Sequence, residues 1–178
     1  MLDLLKKRRS IRRFKEEPLQ PEEIERLVTA ALLSPSSRGR QPWEFIMVTE
    51  PALLEKLSVS KPSSASFLKG AALGVVILAD PGISDVWVED TSIAALLVHL
   101  TAASMELGSC WIQIRGREHS PAEMAGDYIK RWLDIPGKYE VEAIIAVGYP
   151  DENKVPRNEK DLPYEKVHRE KFGTPWPK

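Results

Sequence analysis

A chain of 178 residues is long enough for one domain with a sizeable core, and it is short for two. Hydrophobic residues make up 43% and charged residues 29%, which excludes the composition of a disordered protein. The formal net charge of −1 does not indicate any particular class of binding partner. The single cysteine, Cys110, excludes an internal disulfide.

The sequence carries no segment that predicts membrane insertion or secretion. No apolar run approaches the roughly 20 residues that cross a bilayer. The first ten residues lack the apolar middle section of a secretion signal. A lone cysteine fits a reducing compartment. We therefore expect a cytoplasmic protein without membrane contact.

The hydrophobic pattern predicts alternating helices and strands, and thus a mixed α and β fold in one domain spanning residues 1–178. Gly108 is expected to end the longest helix, and Ser120 with Pro121 and Glu123 is expected to begin the last one. Helices are predicted from Leu2, from Pro21 to Leu32, over 51–57, within 84–107 and from Ser120; strands are predicted over 45–48, 75–78, 110–114 and 141–147.

The longest predicted helix is apolar or small on most sides. Ile93, Leu96, Leu97 and Leu100 mark one face, and alanines occupy the others. Such a helix is usually buried against several neighbours.

The C-terminal extension, residues 151–178, is polar and proline-rich, yet it contains Val167, Phe172 and Trp176. It has too few apolar residues to form a core of its own. One hypothesis is that it packs over a second subunit, which would bury these side chains. The alternative is that it packs back on its own domain.

Several kinds of catalytic site are not supported. His99, His119 and His168 are widely spaced and give no zinc-ligand pattern, so no metal site is expected. The nucleophile elbow, the Walker loop and the dinucleotide-binding glycine turn are absent. His99 on the apolar helix is interpreted as a hydrogen-bonded core residue.

The basic run near the N-terminus reads Arg8-Arg9-Ser10-Ile11-Arg12-Arg13-Phe14. If it is extended, Arg8, Ser10 and Arg12 share a face and can converge on one anion. Guanidinium and hydroxyl groups are the donors that a phosphate monoester needs. A solvated basic face and a nucleic-acid site are the alternatives; scattered acidic residues and the lack of interleaved aromatics disfavour nucleic acid.

Four segments resemble the nitroreductase family: RRSIRRF, SPSSRGRQPWEF, the helix ending in LGSCWI, and AIIAVGYP, in that order over about residues 2–157. The resemblance implies an α+β fold with a mixed, largely antiparallel sheet flanked by helices. It also implies an intertwined homodimer with two FMN sites at the interface.

The resemblance also assigns residues to the FMN site. Arg8, Arg9, Ser10 and Arg12 match the positions that hold the phosphate and ribityl chain, and Arg157 matches a basic residue that reaches the phosphate. The ring is expected to contact Pro35, Ser36, Ser37 and Gln41 on one loop, and Gln113, Ile114, Arg115 and Gly116 at a turn beside its reactive nitrogen.

Two residues depart from the family pattern. Gly39 stands where many members have asparagine, so one contact to the ring edge is expected to be lost. Arg115 replaces an acidic residue, and it is interpreted either as a contact to reduced flavin or a carboxylate substrate, or as a surface arginine. The chain is also short, so a substrate lid is expected to be reduced.

The resemblance implies that NAD(P)H reduces the flavin and leaves, after which an electron-poor small molecule such as a nitroaromatic or quinone takes the electrons. No side chain then acts as a nucleophile. The alternatives are a flavin-degrading or dehalogenating enzyme of the same family and a non-catalytic FMN-binding sensor.

Overall fold

The computed structural model describes residues 1–177. Its strands are β1 (Trp43–Val48), β2 (Leu73–Ala79), β3 (Gly108–Gln113), β4 (Glu118–Ser120), β5 (Glu123–Met124) and β6 (Glu140–Gly148). Four of them form one sheet in the order β1–β2–β6–β3, with every neighbouring pair antiparallel. Strands β4 and β5 pair separately as a short hairpin.

The helices cover both faces of this sheet. They are α1 (Leu2–Lys7), α2 (Pro21–Leu32), α3 (Pro51–Ser58), α4 (Trp87–Ser104) and α5 (Ala125–Trp132). Short 3-10 turns cover Ser37–Gly39, Ser66–Gly70, Glu159–Asp161 and Tyr164–Lys166. Within residues 1–177, none of the helices combines the length and the apolar character that crossing a membrane requires.

The central strands are buried on both faces, which is why they read as uninterrupted apolar runs. Along β2, Val76 and Leu78 pack on the side of α3 and α5, whereas Val75 and Ile77 pack on the side of α2 and α4. The four predicted strands are therefore confirmed as one sheet between two helical layers.

Helix α4 packs on the sheet through alanines and Val98, and it leaves two of its large apolar side chains exposed. Ala95, Val98 and Ala102 are fully buried against the sheet. Ile93 and Leu96 keep 40% and 49% of their surface exposed. The small residues let the helix lie close to the sheet, and the large apolar face is left without cover in the single chain.

Two sequence-based boundaries were wrong. Helix α4 ends at Ser104, and the left-handed residue after it is Glu106 with φ +61°, whereas Gly108 is the first residue of β3. The segment from Ser120 does not begin a helix, since it forms the β4–β5 hairpin, and α5 begins at Ala125. Hairpin pairing and the bond from the Ala125 amide to the Arg117 carbonyl override the local capping pattern.

The C-terminal extension is bonded to the N-terminal segment of its own chain through residues within 151–159. The Arg157 amide donates to the Lys6 carbonyl, and Lys6 pairs with Glu159. Phe172 remains 93% exposed, and Val167 and Trp176 are also exposed. The described part of the extension therefore leaves its apolar side chains uncovered.

Candidate functional site

The basic segment is extended and lies along the edge strand β3. Ser10 forms a parallel bridge with Ser109, and the Ile11 amide donates to the Ser109 carbonyl at 3.0 Å. Ile11 is buried against Gly108. A β-carbon added to Gly108 would lie 2.7 Å from the Cγ2 atom of Ile11. Gly108 is therefore needed because the segment passes too close for any side chain.

Arg8, Ser10 and Arg12 lie close enough to the thiol of Cys110 to influence it. Burial raises the pKa of Cys110, while Arg12, the Ser10 side chain and Arg8 act in the opposite direction. The structure places these side chains differently, however: Arg8 lines one cleft beside the segment, and Arg12 lines another.

A basic cleft opens beside this segment. It is lined by Arg8, Arg9, Lys7, Lys154, Glu152 and Ser109, among others. Within residues 1–177, Lys7, Arg8 and Arg9 form no ion pair closer than 4 Å, although the Arg9 guanidinium donates to the Val155 carbonyl. Arg157 lines an adjoining pocket together with Arg9.

Glu152 is the acidic group that organises the rim of this cleft. Its carboxylate accepts from the Arg12 amide at 2.6 Å and pairs with Lys154 at 2.7 Å. These contacts lower the pKa of Glu152 to about 2. The carboxylate thus holds the backbone of the basic segment without neutralising its guanidinium groups.

A second cleft, here called the Trp111 cleft, lies where Arg12 approaches the end of β3. It is lined by Arg12, Lys61, Ser64, Ser66, Phe67, Trp111 and Gln113, and its volume is about 600 Å³. The Arg12 guanidinium carbon lies 5.7 Å from the centre of the Phe67 ring. Arg12 and Gln113, which are 101 positions apart by number, are brought together here.

The turn at residues 113–116 is held by a buried carboxylate. Arg115 Nε donates to Glu142 at 2.6 Å, and the Glu142 side chain is 3% exposed against 48% for Arg115. Gln113 donates to the same carboxylate and accepts from the Trp111 indole. Ile114 is buried, and Gly116 has φ +67°. The charge of Arg115 is therefore already neutralised by its own chain.

Replacing Arg115 with alanine is expected to destabilise the fold by about 2 kcal/mol, because it leaves the buried Glu142 charge without its cation; the value lies below the roughly 3–5 kcal/mol of a fully buried pair. Urea unfolding measures the effect. Adding Glu142→Gln should recover part of the loss, since no buried charge remains. Arg131→Ala, which breaks an exposed pair with Glu123, is the control, and a loss as large as that of Arg115→Ala would contradict this account.

The Pro35–Gln41 loop lies against the other end of α4. The Ser37 amide donates to Asp90 at 2.8 Å, and buried Asp90 also accepts from the Ser84 hydroxyl. Asp90 is in the first turn of α4, whereas Arg8 lies beside Ala103 in its last turn. A rise of about 1.5 Å per residue separates the two by roughly 20 Å within one chain.

The backbone of this loop is strained. Arg38 and Gln41 have φ of 54° and 49°, and Gly39 has φ of 65°. Left-handed conformations cost L-residues about 1–2 kcal/mol each. The Gln41 amide donates to the Ser36 hydroxyl at 2.8 Å, which helps to hold this shape. Strain of this kind concentrates at binding sites.

His99 lies beneath the basic segment. It is buried, and its Nδ1 atom is 2.7 Å from the Ser109 hydroxyl. This agrees with its interpretation as a hydrogen-bonded core residue. Burial, and next the positive charge of Arg8, lower the pKa of His99 to about 4 from the usual 6.5.

The fold should lose stability as the pH falls from 6.5 to 4, because the unfolded chain then protonates His99 and the folded chain does not. Above pH 6.5 the contribution of neutral His99 to the free energy of unfolding is complete. The lowered pKa corresponds to a loss of about 3 kcal/mol of this free energy by pH 4. Urea unfolding across this pH range should show that the free energy of unfolding varies less with pH in His99→Gln than in the wild type. His168→Gln is the control, and equal slopes for wild type and His99→Gln would refute the prediction.

The sequence did not reveal several residues of the Trp111 cleft and of the turn beside it. Glu142 is hidden in the apolar run of β6, and Lys61 and Phe67 lie in and beyond a serine-rich loop with no recognisable motif. Only the contact of these residues with Arg12, Gln113 and Arg115 distinguishes them. Among residues 1–177, no group of three or more possible metal ligands is present.

Residues 5–61 and 57–149 match the profile of the Nitroreductase family, and the chain belongs to that family. It is 32% identical over 176 residues to a protein of Archaeoglobus fulgidus provisionally named an NADH dehydrogenase/NAD(P)H nitroreductase, with 96% of this chain and 98% of that one covered.

Solved structures support the same assignment. An FMN-dependent nitroreductase from Clostridium difficile R20291 superposes with a TM-score of 0.96 at 46% identity, covering 97% of this chain and 100% of that one. The expected α+β fold is thereby confirmed. NADPH:FMN oxidoreductase from Vibrio harveyi, at 22% identity, shares the fold with a TM-score of 0.78 over 96% of this chain and 77% of that one.

Proposed function

We propose that the chain is an FMN-dependent oxidoreductase that takes a hydride from NAD(P)H and passes electrons to an electron-poor small molecule by a ping-pong mechanism. The observation that carries this proposal is the basic cleft with its unpaired cations. The relatives named above bind or use FMN and NAD(P)H according to their names. Nitroaromatics and quinones are the proposed acceptors.

The donors around the basic segment fit the phosphate of FMN. Arg8, Arg9 and Arg12 are cations without a carboxylate partner within residues 1–177, and guanidinium groups form strong charge-assisted bonds to phosphate oxygens. Ser10 adds a hydroxyl beside them, and Arg157 adjoins Arg9. We assign the phosphate and ribityl chain to these five residues.

The turn at Gln113, Ile114, Arg115 and Gly116 is assigned to the flavin ring. The bound ring would supply the redox chemistry, and the residues of the turn would orient it. Trp111 and Glu142 hold the Gln113 side chain in place, so the turn is fixed where it borders the Trp111 cleft. A fixed turn keeps the contact geometry constant between the two half-reactions.

A second copy of the chain is proposed to complete the site. The Pro35–Gln41 loop and the basic segment lie at opposite ends of α4, roughly 20 Å apart, which favours a site that two chains complete. The exposed face of Ile93 and Leu96 offers an interface, since contiguous apolar surface favours association. Loop residues Pro35, Ser36, Ser37 and Gln41 would then reach the partner's flavin.

The C-terminal extension is proposed to pack on this partner. Its apolar side chains are exposed on their own chain, and burying Phe172 and Trp176 would each contribute roughly 2 kcal/mol. Removal of residues 159–178 should therefore weaken the dimer.

The test is a visible spectrum of the purified protein with FMN, before and after anaerobic NADH or NADPH. A protein-bound flavin spectrum that bleaches supports the proposal. Flavin that binds but does not bleach would favour the sensor or a specialised enzyme of the same family. Absence of FMN binding would refute the proposal.

A further inference from the structure

Lys61 is a half-buried cation that the proposed function does not use. Its Nζ atom donates to the Gln113 carbonyl at 3.1 Å inside the Trp111 cleft. Within residues 1–177, no carboxylate lies within 4 Å of this ammonium group. Burial lowers the pKa of Lys61, and Arg117 lowers it further, as expected where a cation faces a like charge. The group is held in place but not neutralised.

Arg115 differs from Lys61 in this respect. Arg115 is the cation on the turn that the resemblance places beside the flavin, and Glu142 neutralises it at 2.6 Å. Arg12, also in the cleft, is assigned to FMN. Lys61 is therefore the cation of the cleft that remains available for an anionic group of another ligand.

The other walls of the cleft suit an aromatic ring. Phe67 and Trp111 contribute flat apolar surface, and Ser64 and Ser66 contribute hydroxyl groups at the rim. A volume of about 600 Å³ lies in the range of small-molecule sites. Aromatic walls with a cation that remains after Arg12 is assigned to FMN match a ring that carries a carboxylate.

We propose that Lys61 determines acceptor specificity by binding the carboxylate of an aromatic acid in the Trp111 cleft. This inference rests on the proposed function, because the acceptor must lie next to the flavin. The ammonium group binds and orients the acceptor and takes no part in electron transfer.

The test compares 4-nitrobenzoate with 4-nitrobenzamide, which has similar size and no charge. Binding to the oxidised, FMN-loaded protein is measured by calorimetry, so turnover is not required. We expect the wild-type protein to bind the carboxylate about tenfold more tightly than the amide, in keeping with one charge-assisted bond. Lys61→Gln, which keeps an N–H donor, should remove this preference and leave amide binding within twofold.

Lys69→Met is the matched control, because Lys69 is exposed in the 3-10 turn that contains Phe67 but does not line the cleft. It should retain the preference. The inference is wrong if the wild type binds both compounds equally, or if Lys61→Gln weakens both equally. It is also wrong if Lys61→Gln leaves carboxylate binding unchanged but slows bleaching by NAD(P)H, since the anion would then be a nucleotide phosphate.

Flavin uptake and bleaching are recorded for each variant before these titrations. A wild type that binds FMN and is bleached, yet shows no preference for the carboxylate, would overturn this inference alone. A wild type that takes up no FMN would overturn the proposed function and this inference with it.

Discussion

Replacing both Arg8 and Arg12 with alanine is expected to weaken FMN binding about 1000-fold. Each guanidinium can form a charge-assisted bond to the phosphate, worth about 2 kcal/mol, and two such losses amount to roughly three orders of magnitude. Replacing Arg12 alone should release FMN to a lesser degree. Fluorescence titration of FMN measures the dissociation constants.

The fold should survive these changes. Neither guanidinium forms an ion pair within residues 1–177, and the segment is anchored through its backbone to β3 and Glu152. A double variant of Lys56→Ala and Lys69→Ala removes the same charge from exposed positions elsewhere and should bind FMN normally. Wild-type affinity in the Arg8 and Arg12 double variant would exclude these two residues as ligands of the phosphate.

Replacing Leu96 with aspartate is expected to convert the protein to monomers and to abolish FMN binding at micromolar concentrations. Leu96 is half-exposed on its own chain, so the protomer should remain folded. A charge buried at the centre of an apolar interface has no partner and strongly opposes association. Sedimentation velocity reports the assembly, and flavin titration reports the site.

The control is Val59→Asp, which changes an exposed apolar residue beside α3, on the opposite face of the sheet. This variant should remain dimeric and bind FMN. If Leu96→Asp produces monomers that still bind FMN with wild-type affinity, the site is complete within one chain and the proposed shared site is incorrect.

The four main strands and the long helix could be predicted because elements that are buried on most sides have largely apolar sequences. The central strands are buried on both faces, so Val75, Val76 and Ile77 form a continuous apolar run. The face on which α4 packs could not be predicted, since Leu96 and Ala95 are both apolar. Only the closeness of the sheet decides that the alanine turns inward.

Local signals misled where long-range contacts took precedence. Gly108 resembles a helix stop, but a glycine is needed there because the Ile11 side chain packs too close for any side chain at this position. Ser120 and Pro121 resemble a helix start, but His119 bonds to the Val59 and Ser60 carbonyls and helps fix the hairpin in their place. The pairing of Arg115 with Glu142 joins residues 27 positions apart and leaves no local pattern.

The position of the Pro35–Gln41 loop at the far end of α4 from the basic segment has a consequence for how the protein is handled. If each flavin needs groups from two copies, then cofactor loading follows mass action in the protein as well as in FMN. Dilution should release flavin even when free FMN is held constant, and added FMN should in turn promote association. Flavin content measured on dilute samples would therefore understate the capacity of the concentrated protein.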